Sequence, residues 1–170
     1  MPALPPGFAD VLHLLCERLP LEEVNWALTG SLGMTLSGMP LEQVHDVDVQ
    51  TDATSWSVVE ERFSSSVVEP VHLRTSERMR SYFGRLVVDG VDVEVMGGIQ
   101  KRLEDGQWEP PVDPAAHRRL VRYGPLTVPV LSLEYEAAAY ERLGRHERAQ
   151  EIRRHLLNQA DLHVHADQHP

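Results

Sequence analysis

Asp46 and Asp48 lie one residue apart, with Val47 and Val49 interleaved. On an extended chain, side chains at i and i+2 point to one face, so the two carboxylates stand together while the valines turn toward a core. Adjacent carboxylates repel unless a cation sits between them. Paired hard oxygen ligands are what Mg²⁺ accepts. Upstream, Gly30-Ser31 falls where a short apolar strand turns into a small-residue helix, a place where backbone N–H groups can receive a phosphate. A phosphate cradle followed by a metal-binding acid pair points to nucleotide chemistry.

Further acids recur at residues 86–98, Leu-Val-Val-Asp-Gly-Val-Asp-Val-Glu-Val-Met-Gly-Gly. Asp89-Gly90 is a two-residue hairpin signal between strands expected at 82–88 and 91–96. Asp92 and Glu94 then share one face, with Val91, Val93 and Val95 on the other. Whether that acidic face meets Asp46 and Asp48 depends on sheet register. Ahead of the hairpin, residues 74–81 are polar and basic. Arg80 and Ser81, and after them Arg74, are candidates to hold a triphosphate, since guanidinium groups pair bidentately with phosphate. The competing reading is an exposed loop whose charges serve solubility.

Gly30-Ser31 followed by Asp46-Val47-Asp48-Val49 resembles the signature of the polymerase-beta-like nucleotidyltransferase superfamily. That signature is a hydrophobic residue, Gly, Gly or Ser, a short helix, and Asp-x-Asp on the next strand. The chain looks like the small bacterial members, such as aminoglycoside and lincosamide nucleotidyltransferases, over residues 24–98. A looser likeness to their C-terminal helices covers residues 128–152. The gap from Leu32 to His45 is slightly longer than usual. The family carries a third carboxylate on a later strand between hydrophobic residues; Glu94 is the better match and Asp92 the alternative.

The resemblance implies transfer of a nucleoside monophosphate from a nucleoside triphosphate, ATP in the first instance, to a hydroxyl of a small molecule, releasing pyrophosphate. Two Mg²⁺ ions would be held by Asp46, Asp48 and Glu94, with Glu94 also helping to deprotonate the acceptor. Ser31 and the amides after Gly30 would hold the triphosphate tail. A protein acceptor is the nearest alternative. A catalytically silent partner in a toxin–antitoxin type system and a metal-dependent phosphodiester hydrolase are two more. All three acids being present argues against silence, because an unused acid cluster only adds repulsion.

The elements that must position these residues follow from the remaining pattern. Residues 8–19 place Phe8, Val11, Leu12, Leu15 and Leu19 at helical spacing, closed by Pro20. Strands are expected at 24–28, across Asp46–Val49, and at 67–73, where Pro70 marks an edge or bulge. Residues 121–131 look extended, turning at Gly124-Pro125, with Val128-Pro129-Val130 as an edge. Ser132 caps a helix with Glu134 and Glu136 in its first turn, favourable near the positive helix end. Those two acids are also possible contributors to acceptor recognition. Gly144 separates it from a last helix carrying Ala149, Ile152 and Leu156. The order gives one α/β or α+β domain over residues 1–170; the resemblance implies the α+β nucleotidyltransferase-like fold, a small mixed sheet flanked by helices, with a catalytic core at 24–98 and C-terminal helices at 132–158.

The net charge of −10 offers no basic groove for a polynucleotide, and it suits a cationic acceptor. A lone cysteine, Cys16, no signal-peptide pattern and no membrane-length apolar run fit a cytoplasmic protein; oligomeric state is not legible. His155, His163, His165 and His169 suggest metal by type only. A terminus ending in Asp167-Gln168-His169-Pro170 has little to fix a ligand geometry.

Overall fold

A computed structural model describes residues 1–40 and 43–166. Helix α1 (Phe8–Arg18) buries Phe8, Val11, Leu12 and Leu15 along one stripe and ends where Pro20 forbids another turn. Next come β1 (Trp26–Thr29), α2 (Gly30–Leu36), β2 (Val47–Thr51) and α3 (Trp56–Arg62). Strands β3 (Val67–Thr75), β4 (Met79–Val88) and β5 (Val91–Lys101) follow as a meander, then β6 (Arg118–Tyr123) and β7 (Leu126–Leu131) as a hairpin. Helices α4 (Leu133–Arg142) and α5 (His146–Ala166) close the chain, α4 capped by Ser132, whose Oγ accepts the Tyr135 N–H at 3.2 Å.

The strands form one seven-stranded sheet in the order β3-β4-β5-β2-β1-β7-β6. It is mixed: β2 runs parallel to β5 and β1 parallel to β7, with every other pairing antiparallel. This is the expected α+β architecture with C-terminal helices. Asp89 (φ 49) and Gly90 (φ 80) both take positive φ, as the tightest hairpin turn requires, and fix Arg85 opposite Glu94.

Two local expectations change. Residues 74–81 are not a loop: β3 runs to Thr75 and β4 starts at Met79, with Thr75 paired to Arg80. The turn is closed by the Ser76 N–H donating to the Met79 carbonyl at 2.8 Å, which lets the polar stretch stay in the ladder. Val128-Pro129-Val130 is not an edge either, because β6 lies outside β7. The ladder from β7 to β1 consists of the single register pair Val130 with Leu28, so the N–H missing at Pro129 interrupts little. Pro70 does sit on an edge strand, flanked by register shifts.

One face of the sheet packs against α1 and α3 to form the main core, where Val47, Val49, Val93 and Val95 are fully buried with Trp26 and Phe63. A smaller cluster of Met34, Met39, Leu133, Ala137 and Ile152 ties α2, α4 and α5 together. The acids occupy the sheet face opposite the valines, beside this second cluster.

Candidate active site

Strands β2 and β5 are neighbours, and Asp48 is in register with Glu94. Since β2 and β5 are parallel and side chains alternate, Val47, Val49, Val93 and Val95 all turn to the core while Asp48 and Glu94 turn to the other face. Asp46 immediately precedes β2. One carboxylate oxygen from each of Asp46, Asp48 and Glu94 lies within 4.8 Å of the other two. Among the described residues these three are the group close enough to share an ion. Each buried valine behind them contributes roughly 1.5–3 kcal/mol, enough together to hold three like charges in proximity.

That proximity shows in Asp48, which is pushed up to about 8, first by burial, then by the charges of Asp46 and Glu94 and a proton shared with Glu94. Hard oxygen donors with an excess of negative charge fit a divalent cation. Gly30 closes the site from β1. Its φ is 68, and a β-carbon there would run into the Asp48 carboxylate, so only glycine fits. The Gly30 N–H donates to Glu136 Oε1 at 3.1 Å, and Thr29 Oγ1 donates to the same oxygen at 2.6 Å. Glu136 is 4% exposed. Burial raises it to about 7, outweighing the two hydrogen bonds and the nearby Lys101 charge that favour its anion.

Of the residues anticipated from sequence, Asp46, Asp48, Glu94 and Gly30 come together. Ser31 opens onto a neighbouring cavity of about 860 Å³, shared with His45, Arg148, Glu151 and Arg154. Arg80 donates through Nε to Gln100 Oε1 at 2.8 Å, and its guanidinium lies 5.0 Å from the Trp108 ring centre. Ser81 is buried in β4 and lines neither cavity that holds the acids. Asp92 is outside the 4.8 Å group and faces Arg85 at 3.7 Å. Glu134 is exposed, whereas Glu136 turns inward. His163 is exposed and bonded through Nδ1 to the Gln159 carbonyl; the side chain of His165 and all of 167–170, with His169, lie outside the described residues.

Three residues near the acids escaped the sequence reading. Arg85 lines a cavity of about 350 Å³ with Asp46, Arg74 and Glu94. Counting pairs outward from Asp89-Gly90 would have set it opposite Glu94. Gln50 and Lys101 line a cavity of about 200 Å³ next to Asp48. Gln50 was within reach, being two residues past Asp48 on the same strand face. Lys101 carried no such signal.

A mixed sheet that sets a Gly-Ser turn and three converging carboxylates on one face defines a nucleotidyltransferase. The chain belongs to the aminoglycoside-2''-adenylyltransferase family, whose profile matches residues 11–158. A presumed nucleotidyltransferase from Thermotoga maritima, known from its crystal structure, is 45% identical, with 92% of this chain and 96% of that one aligned at a TM-score of 0.80. The lincomycin-bound lincosamide adenylyltransferase LnuA shares the fold at 12% identity, with 88% of this chain and 98% of that one aligned at a TM-score of 0.51. No curated protein sequence matches the chain significantly. No described helix is long and apolar enough to cross a membrane.

Proposed function

We propose that this protein transfers the nucleoside monophosphate of a nucleoside triphosphate, ATP in the first instance, to a hydroxyl of a small molecule in a Mg²⁺-dependent reaction that releases pyrophosphate. The observation that carries this reading is the convergence of Asp46, Asp48 and Glu94 beside the Gly30 turn. Those three carboxylates would hold the metal, which when bound supplies charge compensation and polarises the α-phosphate. The acceptor oxygen forms a bond to the α-phosphorus, the bond to the pyrophosphate oxygen breaks, and the hydroxyl proton passes to the Glu94 carboxylate. Ser31 donates its hydroxyl to the phosphate tail, and the missing side chain at Gly30 keeps that approach open. The whole chain acts as one catalytic domain in this proposal, because one sheet carries both the acids and the strands of the C-terminal half.

A hydroxylated, cationic acceptor of the amino-sugar kind is supported by the family and by the net charge of −10. A cytoplasmic setting, where ATP and Mg²⁺ are abundant, suits it. Incubation with labelled ATP, Mg²⁺ and a panel of amino-sugars should give pyrophosphate and a labelled sugar in equal amounts. Pyrophosphate with label only on a protein band would reassign the acceptor. No pyrophosphate from any acceptor, sugar or protein, would remove the reading.

A further inference from the structure

We propose that the cavity between α4 and the sheet is the nucleobase pocket of the triphosphate, and that Gln50 reads the edge of the base. This inference rests on the nucleotidyl-transfer reading above and names where the base goes. The cavity holds about 200 Å³ and is lined by Asp48 and Gly30 of the acid site together with Met79, Met96, Tyr140 and Lys101. Small-molecule sites run from about 300 Å³ upward, so this space takes one ring system rather than a whole amino-sugar or nucleotide. Met79, Met96, Ile99, Ala139 and Tyr140 supply its apolar walls, which suit the two faces of a flat ring.

Of the polar groups that line it, Glu136 already accepts from the Thr29 hydroxyl and the Gly30 N–H through Oε1. Gln50 is 2% exposed, and its Oε1 has no hydrogen-bond partner among the described residues. A buried orphan acceptor is destabilising, so its persistence beside a cavity implies a donor that arrives with a ligand. Lys101, 4% exposed, gives hydrogen bonds to Glu109 Oε1 at 3.1 Å and Tyr135 Oη at 3.2 Å, which leaves one of its three protons for an acceptor in the cavity. The unpartnered Gln50 acceptor and the Lys101 donor match the edge of adenine, whose exocyclic amine donates and whose ring nitrogens accept. Distance agrees as well. Gln50 stands two residues beyond Asp48 on β2, about 7 Å along the strand, which is about the reach of one ribose between an α-phosphate at the acids and its base.

The test compares Mg²⁺-dependent binding of ATP, UTP and inorganic triphosphate to the wild type and to Gln50→Leu, which keeps the volume and removes the orphan. Wild type should hold ATP about tenfold more tightly than UTP or triphosphate, and Gln50→Leu should erase that margin while binding triphosphate unchanged, which also shows that the variant is folded. A second variant, Met79→Trp, should block ATP and spare triphosphate by filling the cavity. Equal affinity of the wild type for ATP and triphosphate would overturn the pocket and leave nucleotidyl transfer standing. So would a Gln50→Leu defect confined to the acceptor's KM. A wild type that binds neither ATP nor triphosphate and releases no pyrophosphate would overturn both readings.

Discussion

On the α4 side of Asp48 the wall is Met79, Met96, Ile99 and Tyr140 around a buried amide; on the β3–β4 side of Glu94 it is Arg74, Arg85, Glu69 and Asp92. One sheet face thus presents two materials within a few residues of the same acids. The difference comes from what covers the face. Helix α4, held to the Gly30 turn through Glu136, shields the first region from water, whereas the second lies open beside the edge strand β3. Electrostatic effects are large where water is excluded and small where it is not. Burial accordingly leads the causes that raise Asp48 and Glu136, while the Arg85–Asp92 pair, with side chains 44% and 58% exposed, is worth at most about 1 kcal/mol. Substitutions should therefore lose effect from the covered region to the open one.

The largest effect belongs to Asp48. Asp48→Asn should lower transfer by about 10²–10³-fold or more, since it removes a central oxygen ligand. Its effect on the metal-free fold has the opposite sign. Asp48 sits near 8 in the folded protein against an ordinary 3.8, so the fold binds a proton that the unfolded chain releases. The contribution of this group to stability is complete below about pH 4 and is lost as pH rises to about 8. In chelator at pH 8 the Asn variant should melt several degrees above the wild type, with the gap closing toward pH 4. Mg²⁺ should raise the wild-type Tm and leave the variant's in place. A gap that widens toward pH 4 would break the account of the covered side.

Next comes Glu136. Glu136→Ala leaves the Gly30 N–H and the Thr29 hydroxyl without their acceptor. It should cost about 2–4 kcal/mol in urea denaturation, because hydrogen bonds to a charged group and the desolvation of the stranded donors add. Glu136→Gln keeps an acceptor and should cost about 1 kcal/mol. If α4 is what walls the ring cavity, the Ala variant should also raise the KM for ATP more than the Gln variant does. Equal costs for the two would mean that the latch is packing alone.

How much of this was legible in the sequence follows the same division. The acids were readable because strand parity is local: Asp46, Asp48 and Glu94 alternate with valines whose burial fixes the face. The hairpin at Asp89-Gly90 was readable from turn chemistry. What brings Glu94 to Asp48 is the parallel pairing of β2 with β5, made across more than forty residues, and no local signal encodes it. Glu136 looked like a dipole-complementing acid of a first turn, and only the docking of α4 on β1 makes it the partner of Gly30. Arg80 resembled a phosphate ligand by type, and nothing local announced its contacts with Gln100 and Trp108. Long-range contacts decided each of these.

A smaller effect is expected on the open side from Arg85→Ala. Stability should change by less than about 1 kcal/mol, because the ion pair with Asp92 is exposed. Transfer should fall about tenfold if the guanidinium steadies a charged group beside Glu94, and the deficit should shrink at about 1 M salt, where the Debye length is about 3 Å. Kinetics at low and high salt would show it. A salt-independent deficit would mean that Arg85 is screened from solvent in the working complex and that the open side closes.

The smallest effect sharpens the boundary between the two regions. Asp92 and Glu94 share a strand face, and their positions differ by one pleat repeat, yet Glu94 belongs to the converging acids and Asp92 does not. Asp92 is more than half exposed and has Arg85 as its neighbour at 3.7 Å. Asp92→Asn should then change transfer less than about twofold and stability by about 0.5 kcal/mol or less, whereas Glu94→Gln should come close to Asp48→Asn. Measured side by side at one Mg²⁺ concentration, the two variants report how far the metal-binding region extends along β5. The reverse ranking would move the third carboxylate two residues toward the turn. The metal-binding acids would then reach the exposed Asp92 beside Arg85, and the covered and exposed halves of the site would no longer be separable by burial.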